Sequence, residues 1–129
     1  VAESELARKL RVLPGKRLLV VNGPEGYDWA LAPLPPGAEV ATHASGMFDV
    51  VQVFVRDRVE LQRVLPEATA ALAPAGILWV AWPKKTSKLA ADLDRDSLWA
   101  ELNTQGWVGV ASIAVDATWS ALRFKRESV

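Results

Sequence analysis

Residues 48–83, FDVVQVFVRDRVELQRVLPEATAALAPAGILWVAWP, decide how the chain is read. Phe48 to Val55 is rich in β-branched and aromatic residues and predicts a strand. Asp57 to Leu72 places Leu61, Val64, Leu65, Ala68 and Leu72 at three- and four-residue steps, the spacing of one helix face. Asp57 and Glu60 have capping-box spacing, with Asp in place of Ser or Thr. Pro66 lies inside this stretch and predicts a kink or a split. Pro74-Ala75-Gly76 closes the helix, and Ile77 to Trp82 is a second strand, ended by Pro83. Two near-continuous apolar strands joined through a helix form a parallel unit covered on both faces.

The flanks extend this unit. Upstream, Glu3 to Val12 reads as a short amphipathic helix with Ser4 as N-cap and Pro14-Gly15 as its stop. Arg17 to Asn22 is another buried-type strand, followed by the tight loop Gly23 to Gly26 and one or two helical turns at Tyr27 to Leu31. Glu39 to Thr42 is a short strand candidate. Only His43 to Met47 separates it from Phe48, whereas a parallel return normally takes a dozen residues or more. That strand is therefore either very short or runs differently from the rest. Downstream, Asp94 to Thr104 reads as a helix with Leu98, Trp99 and Leu102 inward. Trp107 to Val115 and Trp119 to Lys125 form an antiparallel hairpin around Asp116-Ala117-Thr118. The expected architecture is one α/β domain over residues 1–129, three-layered, with a mostly parallel sheet of about six strands and a closing hairpin.

The 129 residues carry 15 basic and 15 acidic side chains, a balance that argues against general nucleic-acid binding. The absence of cysteine excludes disulfides, Cys-based zinc sites and thiol catalysis. No apolar run approaches the ~20 residues of a membrane span. Val1 to Arg11 has no apolar signal core, so a cytoplasmic location is expected. Met47 is the only methionine, and Val1 is read as a processed or trimmed start.

LLVVNGPEG (18–26), FDVVQVFV (48–55), LAPAGILWVAWP (72–83) and the closing hairpin together resemble a reduced class I S-adenosylmethionine-dependent methyltransferase. The resemblance spans about residues 13–126 and implies a Rossmann-like fold, with S-adenosylmethionine bound at Asn22, Gly23, Glu25 and Gly26. The words PEGY (24–27), FDVVQVFV (48–55), WPKKTS (82–87) and DATWSALRFK (116–125) also resemble a small bacterial family of unknown function. Departures from the methyltransferase pattern are specific. The family's loop has an acid and then Gly-x-Gly; here Asn22-Gly23-Pro24-Glu25-Gly26 inserts a proline, which lacks an N–H and adds bulk. The family's acid after the second strand grips ribose hydroxyls, and the matching stretch, Thr42-His43-Ala44-Ser45-Gly46, has none. One strand–helix unit also lacks a counterpart.

Ligands of open α/β sheets bind beyond the carboxyl ends of the strands. The loops Asn22 to Gly26, Arg56 to Arg58 and Pro83 to Lys88 are expected to meet there. Lys84, Lys85 and Lys88, with Thr86 and Ser87, are the densest polar cluster and the candidate clamp for a phosphate or carboxylate. Arg95 either pairs with a neighbouring acid or reaches the ligand. Asp116 and Trp119 flank the hairpin turn as substrate-facing candidates. Tyr27 and Trp29 are placed to stack on a ring or to cover a subunit contact. Asp92, Asp94 and Asp96 lack the Gly and Glu of a calcium loop and read as capping acids, so no metal site is assigned. His43 is the only histidine, and no serine lies on a nucleophile elbow, so no catalytic residue is assigned. Arg8, Lys9, Arg11, Lys16 and Arg17 form a basic stretch, read as a solvated surface or a contact for an anionic partner. The leading expectation is a non-catalytic or degenerate methyltransferase-like domain that binds a small anionic or nucleotide-like ligand, or a partner. The alternatives are a minimal transferase using S-adenosylmethionine or a nucleotide, and a structural homodimerisation module.

Overall fold

A computed structural model of the chain describes residues 4–43, 45–86 and 92–127. In chain order the elements are α1 (Glu5–Lys9), β1 (Arg17–Val21), α2 (Tyr27–Leu31), β2 (Glu39–Ala41), β3 (Phe48–Phe54), α3 (Arg58–Ala70), β4 (Leu72–Pro83), α4 (Arg95–Asn103), β5 (Trp107–Ala114) and β6 (Trp119–Arg126). One six-stranded sheet has the order β2-β1-β3-β4-β6-β5. Strands β2, β1, β3 and β4 are parallel, and β6 runs antiparallel between β4 and β5.

The central strands are apolar on both sides because both sides are covered. Val51, Val53 and Val55 pack with Leu61 and Leu65 of α3 and Leu98 and Leu102 of α4. Val50 and Phe54 face the other way, onto Ala7, Leu10, Leu31 and Trp79. Trp79 also ties α1 down, since its Nε1–H donates to the Leu10 carbonyl at 2.9 Å. Five tryptophans, at positions 79, 82, 99, 107 and 119, are buried or half-buried, so packing accounts for them. The side chain of Trp29 lies outside the described set.

The short second strand resolves the tight return to β3. Strand β2 has three residues, is parallel to β1 and ends level with Leu19, while Val50 of β3 lies level with Leu18. From strand spacing and rise, Ala41 to Phe48 spans a diagonal of roughly 14 Å. Seven extended residue steps reach about 23 Å, so no helix is needed. Arg17 pins this crossover. Its Nη1 and Nη2 donate to the carbonyls of Met47 (2.9 Å) and Ser45 (3.0 Å), and its guanidinium lies 4.3 Å from the Phe48 ring centre.

Two expectations change. Helix α3 continues through Pro66 instead of splitting there. Pro66 and Gln62 are both exposed, so the carbonyl deprived of its partner faces water, while Leu61, Leu65 and Ala68 hold the buried face. Strand β4 starts at Leu72, not Ile77. Leu72 pairs with Phe48 and Ile77 with Val50, so Pro74-Ala75-Gly76 lies in an irregular bulge within the strand. A Cβ on Gly76 would meet Leu72 Cδ1 at 2.5 Å, which explains the glycine. No helix among the described residues is long and apolar enough to cross a membrane.

Candidate functional site

Strand β1 ends in the middle of the parallel part of the sheet, and the chain turns sharply there. Asn22 adopts a left-handed φ of 59°, which Asn tolerates better than most residues. Gly23 follows because a Cβ at that position would stand 2.7 Å from Val20 Cγ1. The resulting saddle, Asn22-Gly23-Pro24, divides a crevice into two cavities and lines both. The first, about 470 Å³, is completed by Val20, Tyr27, Leu31, Val40 and Thr42. The second, about 430 Å³, is completed by Phe54, Arg56, Glu60, Arg63 and Trp119.

An aromatic row links the two. Tyr27 meets Phe54 edge-to-face at 4.7 Å, and Phe54 meets Trp119 likewise at 5.1 Å. The Tyr27 hydroxyl donates to Gln52 Oε1 at 2.5 Å. Gln52 is fully buried in the middle of β3, and its Nε2 has no partner. Burial pushes the Tyr27 pKa well above its ordinary value, and the charge of Asp116 adds to it.

The rim of the second cavity is ionic. Asp57 caps α3 by accepting the Glu60 N–H at 2.8 Å. Glu60 reaches back to accept the Arg56 N–H at 3.1 Å. Its carboxylate also lies 3.3 Å from the guanidinium of Arg56 and 3.7 Å from that of Arg63.

Of the residues singled out from the sequence, Asn22, Gly23, Tyr27, Trp119 and Arg56 of the second loop line the crevice. Pro24, read as an obstacle, is part of both walls, whereas Glu25 and Gly26 are exposed and line neither. Lys84 is engaged by the hairpin: its Nζ donates to the Asp116 carbonyl at 2.6 Å, and its N–H donates to the Thr118 carbonyl at 2.7 Å. Lys85 and Thr86 are exposed, and Ser87 and Lys88 lie outside the described residues. Asp116 shapes the turn by accepting the N–H groups of Thr118 and Trp119, each at 2.8 Å. Arg95 borders a separate hollow of about 260 Å³ with Trp82 and Ser112. Asp94 caps α4, and hydrogen bonds from the Ser97 backbone and hydroxyl hold its carboxyl below the usual range. Asp92 accepts the Arg58 N–H at 2.9 Å. Among the described residues, no group of three or more side chains is arranged to hold a metal. The sequence reading missed Arg63, Glu60 as a brace, and the wall residues Leu31, Val40 and Thr42. The spacing of Arg56, Glu60 and Arg63 was the available signal for the ionic rim.

The parallels to this fold are found among solved structures. The chain superposes on the mitomycin 7-O-methyltransferase MmcR with a TM-score of 0.65 and 14% identity, over 86% of this chain and 49% of that one. It matches the DhpI–SAH complex with a TM-score of 0.65 and 11% identity, over 95% and 82%. It matches a putative type 11 methyltransferase from Sulfolobus solfataricus with a TM-score of 0.64 and 13% identity, over 97% and 91%. The fold is methyltransferase-like. This chain thus spans about half the length of MmcR and most of the two smaller proteins. No protein-family model matches the sequence, and no curated protein matches it.

S-adenosylmethionine is the cofactor implied by this fold, and the lining residues test it. The first cavity offers Thr42, with one hydroxyl, where the ribose would need a carboxylate. Glu60, the carboxylate of the second cavity, is already engaged by Arg56 and Arg63. Pro24 supplies no N–H to the saddle. The residues present do not fit the cofactor in the mode that the resemblance implies.

Proposed function

We propose that the chain is a small-molecule-binding domain that uses a methyltransferase-like fold without transferring a methyl group, and that its ligand is nucleotide-like. The crevice astride Asn22-Gly23-Pro24 carries this reading. Val20, Leu31 and Val40 give the first cavity apolar walls for a heterocycle, with the Asn22 amide and Thr42 hydroxyl as polar groups at the same site. No nucleophile–base pair stands among the described lining residues.

Thermal unfolding with adenosine and with S-adenosylmethionine tests the reading. A ligand at about 100 times its dissociation constant adds roughly 2.7 kcal/mol. Adenosine should stabilise the wild type, and Thr42→Trp, an exposed position at the first cavity, should remove that gain. The alternative, a minimal transferase, is favoured by the extent to which the chain covers DhpI. Much tighter binding of S-adenosylmethionine than of adenosine, with methyl transfer to any acceptor, would replace the proposed reading with that one.

A further inference from the structure

We propose that the second cavity is an anion subsite in which Arg56 and Arg63 hold the phosphate or carboxylate head of a ligand whose body occupies the first cavity. This rests on the crevice reading above and extends it to the charge of the ligand. The two cavities share Asn22, Gly23 and Pro24, so they adjoin at that saddle.

Charge decides what the second cavity accepts. Its lining carries two guanidinium groups and one carboxylate, an excess of one positive charge. Asp57 and Asp116, the acids closest in sequence to this rim and to Trp119, are committed to backbone N–H groups at 2.8 Å. Each guanidinium meets Glu60 through Nη2, and the Arg63 contact, at 3.7 Å, is an ion pair beyond hydrogen-bond range. A guanidinium has five N–H donors in a fork that matches carboxylate and phosphate oxygens, so most donors of both groups remain for a ligand.

Exposure and bracing distinguish this pair from the structural arginine of the fold. The Arg56 and Arg63 side chains are 60% and 70% exposed, so turning them toward a ligand strips little packing. Arg17 is 38% exposed and is spent on Met47, Ser45 and the Phe48 ring. Glu60 is only 11% exposed and is fixed by the Arg56 N–H. It serves as a brace that keeps two like charges side by side before the ligand arrives. Phe54 and Trp119 form the apolar part of the same wall.

The test is calorimetric titration of the whole chain with adenosine, adenosine 5′-monophosphate and the 5′-carboxylic acid of adenosine, for wild type, Arg56→Gln and Arg63→Gln. At least one acid should bind wild type tenfold or more tightly than adenosine. Each Gln substitution should remove most of that advantage, weakening the acids far more than adenosine. Which acid gains more identifies the head group. Equal affinity of adenosine and both acids for wild type overturns the subsite, as does an acid advantage that survives both substitutions. Failure of the crevice reading looks different: adenosine does not bind wild type. If an acid then binds through the two arginines, the subsite stands alone; if nothing binds, both proposals fall.

Discussion

Removing one oxygen atom, by Tyr27→Phe, should destabilise the fold by about 1–3 kcal/mol, because it leaves both polar ends of buried Gln52 without a partner. In the wild type the Tyr27 hydroxyl satisfies Oε1 at 2.5 Å, while Nε2 is already orphaned in a fully buried side chain. Gln52→Leu alone should also cost about 1–3 kcal/mol, now by stranding the hydroxyl. The double variant removes every polar atom involved and keeps the volume nearly constant. It should fall within about 1 kcal/mol of wild type or exceed it. The coupling between the two substitutions, the sum of the single costs less the double cost, should therefore be favourable by at least about 1 kcal/mol, measured by urea unfolding of all four proteins. The same residue predicts a pH effect. The folded Tyr27 pKa is raised by burial, so the folded state holds its proton longer than the unfolded chain. Stability is fully present below the unfolded value of about 10 and falls above it by about 1.4 kcal/mol per pH unit, until the folded pKa is passed. Tyr27 is the only tyrosine, so phenolate absorbance reports it alone, and Tyr27→Phe should lack this loss. Additive single substitutions, or ionisation near pH 10 in the folded protein, would refute the reasoning.

Three further outcomes follow from the packing. Gly76→Ala should cost about 1–3 kcal/mol in urea unfolding, because the new Cβ stands 2.5 Å from buried Leu72 Cδ1 and 3.0 Å from the Ala73 carbonyl oxygen; unchanged stability would remove the account of the β4 bulge. Trp79→Phe should cost at least about 2 kcal/mol and raise hydrogen exchange most strongly in α1, since the Leu10 carbonyl loses its donor. Arg17→Ala should cost about 1–2 kcal/mol and speed proteolytic cleavage within residues 42–47, which lose two carbonyl contacts; an unchanged cleavage pattern would mean that the crossover holds without it.

The fold was legible where local signals and tertiary burial agree. FDVVQVFV reads as a strand because both faces of β3 are covered, and Asp57 and Asp94 cap the helices that their positions suggest. It was less legible where turn residues serve packing. Pro74 and Gly76 look like the end of a helix, yet they belong to a bulge shaped by Leu72 pairing with Phe48. The short β2 could not be oriented from sequence, because its direction is set by pairing with β1, a tertiary contact that a three-residue strand does not announce. Asn22 and Gly23 stood out because a strand running into a Gly loop is a local pattern. Lys84 looked like the free cation of a clamp until its contact with Asp116, 32 residues on, came into view. Arg56 was legible only as part of a loop expected at the crevice, and Arg63 was passed over because it sits on a helix and meets Arg56 only through Glu60.

The most direct measurement follows the backbone amides of isotopically labelled protein as adenosine is added. Saturable shifts at Val20, Gly23, Tyr27, Leu31, Val40 and Thr42, lost in Thr42→Trp, are the predicted result. Unmoved amides at these positions with millimolar adenosine present, or saturable shifts confined to the hollow beside Arg95, would contradict the claim that the saddle at Asn22-Gly23-Pro24 is a binding site.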